Sequence, residues 1–342
     1  MNGATNSSIK NIRPLGFQWE TMDPFLFCVH HEDFYPKGNE ELGPDASLEG
    51  REIGQDFRTK DGWRMYHGSK VPGFPGHPHR GFETITVVRK GMVDHSDSQG
   101  ASGRYGNGDV QWMTAGKGLL HSEMFPLLES EKENPLELFQ IWLNLPKSKK
   151  FVEPHFKMFW SESIPILNFE DDKNRKTKVE LIAGKLNNSS AALPPPDSWA
   201  ADPENEVGVW IIEMEAEAEW QLPKTKEGIN RSLYFFKGEK LSLEGEDLPN
   251  YHSAEIIEGK DVTLKNGSIP SQILVLQGKA ISEPVVQHGP FVMNSEEEIR
   301  QAFREYQQTQ FGGWPWPEYE KVHDKKLGRF AIHGDGRKEL KS

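Results

Sequence analysis

Cysteine is nearly missing from this chain: Cys28 is the single one in 342 residues. That excludes an internal disulfide framework and fits a reducing compartment, cytoplasmic, or nuclear if the source is eukaryotic. Long hydrophobic runs are absent as well. Nowhere do the roughly eighteen consecutive apolar residues of a spanning helix occur, and the first thirty residues lack the basic start and apolar run of a signal peptide. No membrane segment is expected. Positive charge is in short supply, with 40 Lys and Arg against 52 Asp and Glu and a formal net charge of -12. No global field exists to hold a phosphate backbone, so direct nucleic-acid binding is not expected.

What the chain does have is large apolar side chains, 19 Phe and 10 Trp among them, which excludes disorder for the bulk of it. The length is about twice that of a common domain. Its 32 Gly and 23 Pro punctuate the sequence too often for long helices and suit many short strands. In residues 74–145, Thr84-Ile85-Thr86-Val87-Val88 precedes Lys90-Gly91, Asp109-Val110-Gln111-Trp112-Met113 follows Gly106-Asn107-Gly108, and residues 138–145 alternate up to Pro146. An all-β sandwich or barrel follows. A second β-rich block begins near Phe156, and Val87-Val88-Arg89-Lys90-Gly91 resembles Tyr234-Phe235-Phe236-Lys237-Gly238, a weak internal repeat. Ser295 and Glu298 make a capping box ahead of Ile299, Ala302, Phe303 and Tyr306, which share one face of a short C-terminal helix. Residues 187–203, with three consecutive prolines, read as a surface loop. The stretch after Gly313 reads as a polar tail without a legible role.

Chemistry concentrates in His77-Pro78-His79, with Glu83 four residues on, and in His121-Ser122-Glu123. Residues i and i+2 of a strand share a face, so each pair can place two donors in one space. Three neutral imidazoles and a carboxylate suit a divalent first-row metal. A lone His-x-His carries little information; two pairs of equal spacing flanking glycine-marked turns carry more. Glu83 and Glu123 both have suitable parity, and spacing leaves the choice between them open. His95 reads as a solvated loop histidine, Arg80 as a partner in an ordinary salt bridge, and the histidines at 30, 31, 155, 252, 288 and 333 as surface or hydrogen-bonded structural residues. Phe82 and Met124 are candidate pocket walls.

The segment His77-Pro78-His79-Arg80-Gly81-Phe82-Glu83-Thr84 and the run from Gly108-Asp109-Val110-Gln111-Trp112-Met113 to Gly116-Lys117-Gly118-Leu119-Leu120-His121-Ser122-Glu123-Met124 strongly resemble the pirin family of bicupins. A further stretch, Glu283-Pro284-Val285-Val286-Gln287-His288-Gly289-Pro290-Phe291, resembles a signature near the pirin C-terminus. The resemblance implies two tandem cupin (double-stranded β-helix) barrels: a metal-binding barrel over residues 1–155, a degenerate barrel with the terminal helix over 156–312, and the tail 313–342. It implies one divalent metal, usually iron as Fe(II), on His77, His79, His121 and Glu123, with Glu123 also the catalytic base, and so nominates Glu123 over Glu83. The second barrel lacks a His-x-His, and no second metal is expected there. The activity implied is a quercetin 2,3-dioxygenase-like cleavage of a small flavonol-like substrate with dioxygen and release of carbon monoxide. The alternative implied is a non-enzymatic, iron-dependent redox-sensing regulator that binds a protein partner such as a transcription factor.

Overall fold

In the computed structural model, which describes residues 8–341, the glycine-punctuated runs are strands. Residues 84–88 fall inside Phe82–Lys90, residues 110–113 inside Val110–Thr114, and residues 138–144 inside Asn134–Asn144. The repeat ends the same way twice. Lys90 and Lys237 close their strands, and Gly91 and Gly238 follow with φ of 79° and 141°, backbone that glycine adopts without a Cβ penalty. The architecture is all-β with one α-helix among the described residues, Glu296–Thr309. No described helix is long and apolar enough to cross a membrane.

Strand pairing, not chain order, groups the residues into two compact units. Among the described residues, one joins those up to Cys28 to Glu162–Ser282, and the other joins Val29–Ser161 to those from Glu283 onward. These groupings differ from a serial division at 155/156 and 312/313 because each terminus completes a distant sheet. Ile9–Pro14 pairs antiparallel with His252–Ile256, and Arg329–Ile332 pairs antiparallel with Ser102–Gly106. Such pairings satisfy backbone groups that would otherwise leave a sheet edge open.

The unit built around Glu162–Ser282 has a seven-stranded and a four-stranded sheet. Their inward residues, including Trp210, Leu233, Phe235, Ile273 and Val275, form one apolar cluster. Ile273 is fully buried there, at the position that an alignment of Asp261 on Asp109 gives to His121. Residues 187–203 contain a short 3-10 turn at Trp199–Ala201 capped by Ser198, and a second, Pro203–Asn205 capped by Asp202, begins at their end.

In the other unit one sheet runs His155–Phe159, Val110–Thr114, Phe82–Lys90, Asn134–Asn144 and Phe25–Tyr35. The opposing sheet runs Lys338–Lys341, Arg329–Ile332, Ser102–Gly106, Met92–Asp97, Leu119–Met124 and Gly73–His79. The helix packs in this unit too. Ser295 Oγ accepts from the Glu298 amide, and Glu298 Oε2 accepts from Asn294 N–H. Its Ile299 and Ala302 are buried with Leu120, Phe291 and Met293, and Phe303 and Tyr306 pack against them.

The stretch after Gly313 is therefore structural. It contributes two strands to the sheet that carries His121, and its His323, Asp324 and Leu327 carbonyls accept hydrogen bonds from the buried Arg104 guanidinium at 2.9–3.0 Å. Its polar composition concealed this, because the segment docks through backbone hydrogen bonds and scattered side chains such as Trp316 and Glu320 rather than through an apolar stripe.

Candidate metal centre

His77 and His79 lie on Gly73–His79 and His121 lies on Leu119–Met124. The strands are antiparallel with His77 directly opposite His121. The ladder is interrupted just before the site: Phe74 faces Glu123 and His77 faces His121, so Pro75 and Gly76 together oppose Ser122 alone. This bulge shifts the strand's parity by one residue and puts Phe74, His77 and His79 along the same cavity wall.

The three imidazoles converge. Ring centroids are 4.5 Å apart for His77 and His121, 4.8 Å for His77 and His79, and 4.9 Å for His79 and His121. One nitrogen from each can be chosen so that all three lie within 4.8 Å of one another. Burial drives all three rings toward the neutral form. His77 is lowered to about 4, and the Pro75 carbonyl only partly opposes that fall. For His121, burial is reinforced by the neighbouring His77, His79 and His95; for His79, it is reinforced by His77 and weakly opposed by the Pro290 carbonyl. Neither ring nitrogen of His121 has a hydrogen-bond partner, and those of His79 have none of good geometry. Buried polar atoms left unpaired cost about 1–3 kcal/mol each, so neutral imidazoles gathered this closely, with the nitrogens of His79 and His121 unsatisfied, fit a bound divalent ion. His77 Nδ1 lies 2.8 Å from the Pro75 carbonyl oxygen. Donation to that oxygen leaves Nε2 with the free lone pair, the arrangement that carbonyls commonly impose on metal-ligating histidines.

The two carboxylates separate in space. Glu123 sits two residues past His121 with its Oε2 3.9 Å from His121 Nε2, outside the three-histidine group. Its Oε2 accepts from Gln140 Nε2 at 2.6 Å and its Oε1 accepts from Thr86 Oγ1 at 3.0 Å. Burial raises its pKa above the usual carboxylate range, against the pull of Gln140, His95 and Thr86. Glu83 instead accepts from Thr114 Oγ1 at 2.6 Å across a pair of neighbouring strands.

His95 is not a solvated loop residue. It is fully buried on Met92–Asp97, opposite Glu123 in the strand ladder. Its ring centroid is 5.6 Å from that of His121, and its Nε2 is 3.2 Å from Asp97 Oδ2. The run Asp94-His95-Ser96-Asp97 is polar on both faces and so lacks the alternation that would mark it as a strand. Arg80 behaves as expected of an internal salt bridge, with Nη1 2.6 Å from Glu305 Oε2 and its guanidinium over the Phe311 ring. Phe82 and Met124 are buried, but they do not line the cavity. Phe82 stacks behind Trp142 with centroids 3.9 Å apart.

The cavity beside the histidines has a volume of about 450 Å³ and is walled by Phe74, Pro75, Trp142, His67 and Gln140. Phe74, Pro75 and Trp142 make one wall apolar, and His67, His77, His79 and Gln140 supply the polar groups, a lining typical of small-molecule sites.

The Pirin family profile matches residues 9–143, and that of the Pirin C-terminal cupin domain matches residues 209–312. The chain belongs to the pirin family. Within the family it is 36% identical over 243 residues to a Pseudomonas aeruginosa protein named putative quercetin 2,3-dioxygenase, covering 69% of this chain and 79% of that one. It is 33% identical over 269 residues to human pirin, covering 77% and 84%. A crystal structure titled quercetin 2,3-dioxygenase, from Acinetobacter baumannii, superposes with a TM-score of 0.68 at 25% identity over 90% of this chain and 96% of that one. The fold is accordingly that of two cupin domains of the pirin type, as the motifs around His77 and His121 led one to expect.

Proposed function

We propose that this pirin-family protein is a metal-dependent dioxygenase that opens flavonols such as quercetin with release of carbon monoxide. The observation that carries the reading is the convergence of three neutral imidazoles, His77, His79 and His121, the first two of which line an aromatic-walled cavity of about 450 Å³. Relatives and a structural neighbour that carry the quercetin 2,3-dioxygenase name support it. The ligand set proposed is His77, His79, His121 and Glu123, holding one divalent ion, Fe(II). Bound there, such an ion would supply Lewis acidity toward a substrate hydroxyl and redox capacity toward dioxygen.

The chain's own residues then have defined tasks. Phe74 and Trp142 exclude water and hold a flat ring system against the histidines. Thr86 and Gln140 fix the Glu123 carboxylate from both oxygens. Glu123, whose buried carboxylate has an enhanced proton affinity, takes the proton of the flavonol 3-hydroxyl at Oε2. The protein would act in the cytoplasm, where its unpaired Cys28 thiol, held protonated by burial, is inert.

The test is anaerobic reconstitution with Fe(II), then quercetin and oxygen, following flavonol absorbance and carbon monoxide together in wild type and Glu123→Gln. Turnover with carbon monoxide that is lost in Glu123→Gln is the expected result. Tight iron binding without turnover would instead favour an iron-dependent regulator that binds a protein partner.

A further inference from the structure

The bulge that aims His77 is held from outside the sheet. Pro75 has no N–H, and the Gly76 N–H, which the bulge withdraws from the ladder, donates to the Tyr319 carbonyl at 2.9 Å. A Cβ on Gly76 would stand 2.5 Å from Tyr319 Cδ1 and 3.5 Å from Trp314 Cε2, so the chain crosses the bulge in direct contact. Trp314 and Tyr319 stack on each other with centroids 5.5 Å apart and planes 6° from parallel. The crossing is pinned at both ends. The Glu320 carboxylate accepts from the Ser69 and Lys70 amides at 2.8 and 3.1 Å. Trp316 Nε1 donates to the Asp97 carbonyl at 2.8 Å, and the His323 amide donates to Asp94 Oδ2 at 2.7 Å. The segment thus reaches from the strand bearing His95 to the strand bearing His77, across the strand bearing His121 that lies between them.

We propose that residues 314–320 form a strap that positions His77: by clamping Gly76 it fixes the Pro75 carbonyl, which in turn orients the His77 ring and leaves Nε2 facing the other two histidines. Outer contacts of this kind set the tautomer and direction of a ligating imidazole, and a bulge is a place where a strand re-aims a side chain. The strap lies beyond residue 312, where the match to the C-terminal cupin profile ends. The inference rests on the metal-site reading above.

The test uses Co(II), whose affinity and visible absorption report ligand number and geometry without any turnover, on the full chain. Gly76 does not occupy the left-handed region, so Gly76→Ala strains contact rather than backbone. It should displace the strap, weaken Co(II) binding about tenfold or more, and alter the absorption bands. Gly76→Ala with Tyr319→Ala, which vacates the space the new methyl needs, should restore both. Wild-type affinity and spectrum in Gly76→Ala, or no recovery in the double variant, would overturn the proposal. Should Gly76→Ala not fold, Glu320→Ala removes the anchor at the Ser69 and Lys70 amides without touching the Trp314–Tyr319 stack. Weakened Co(II) binding there supports the strap, and unchanged binding overturns it. Failure of the wild type itself to bind Co(II) would remove the metal reading, a result distinct from either.

Discussion

Arg104 closes on Asp94 with a two-pronged contact, Nε to Oδ1 at 2.6 Å and Nη2 to Oδ2 at 2.8 Å, both side chains being fully buried. The same guanidinium donates to three carbonyls of the C-terminal segment. Removing one partner of a buried pair leaves an uncompensated charge, at a cost of about 3–5 kcal/mol. Asp94→Ala should therefore destabilise strongly in urea unfolding. It should also release residues after Gly313 to limited proteolysis before the rest of the chain, and equal protection of that segment in wild type and variant would refute the link.

His79→Ala should abolish most metal binding while leaving the β-sheet circular dichroism in place. The ring touches Phe82 and Trp142 with centroids 5.0 and 5.1 Å away, so a packing cost of about 1–3 kcal/mol is expected. Metal content measured on purified, reconstituted protein decides the matter, since full retention would take His79 out of the ligand set.

Acid should expose the Glu137 contact. Burial raises this carboxyl, but Lys90, with Nζ 3.0 Å away, and His30, 3.5 Å away, outweigh burial and hold it at about 2. A carboxyl depressed on folding contributes stability that is fully present above the ordinary value of 4.5, lost as pH falls toward 2. Glu137→Gln should flatten the stability curve in that window and leave its slope near neutrality unchanged.

Lys150 should show the opposite dependence. Its Nζ is buried and donates to the Gly81 and Val292 carbonyls and to Asn144 Oδ1 at 2.8–3.1 Å. Burial lowers its pKa to about 8 despite Glu283 and Glu298. Between pH 8 and 10.5 the unfolded chain holds more protons than the folded one, so this group's share of stability rises with pH across that range. Lys150→Met should remove that rise and cost about 2–3 kcal/mol through the acceptors left unpaired. A denaturation series over pH measures both.

The metal-ligand candidates were legible because strand parity is a local property. His77 with His79, and His121 with Glu123, each share a face whatever the rest of the chain does. The capping box at Ser295 and Glu298 was legible for the same reason, its reciprocal bonds spanning only five residues. His95 was not, because both faces of its strand are polar: Asp94 meets Arg104 behind the sheet and His95 meets Asp97 and His121 inside it. Nor were Gln140 and Thr86, which reach Glu123 from 17 and 37 residues away and belong to no motif.

By itself, the sequence determined the all-β class, the family, the helix with its cap, and which histidines can share a face, because period, turn residues and capping act over a few neighbours. Only the tertiary structure decided which chain ends complete which sheet, that Glu83 is engaged by Thr114, and that Phe74 and Trp142 rather than Phe82 and Met124 wall the cavity. Those outcomes depend on pairing between strands far apart in sequence, on one bulge at Pro75 and Gly76 that resets parity, and on a polar C-terminal segment that binds through backbone hydrogen bonds and scattered side chains, none of which leaves a periodic trace in the chain.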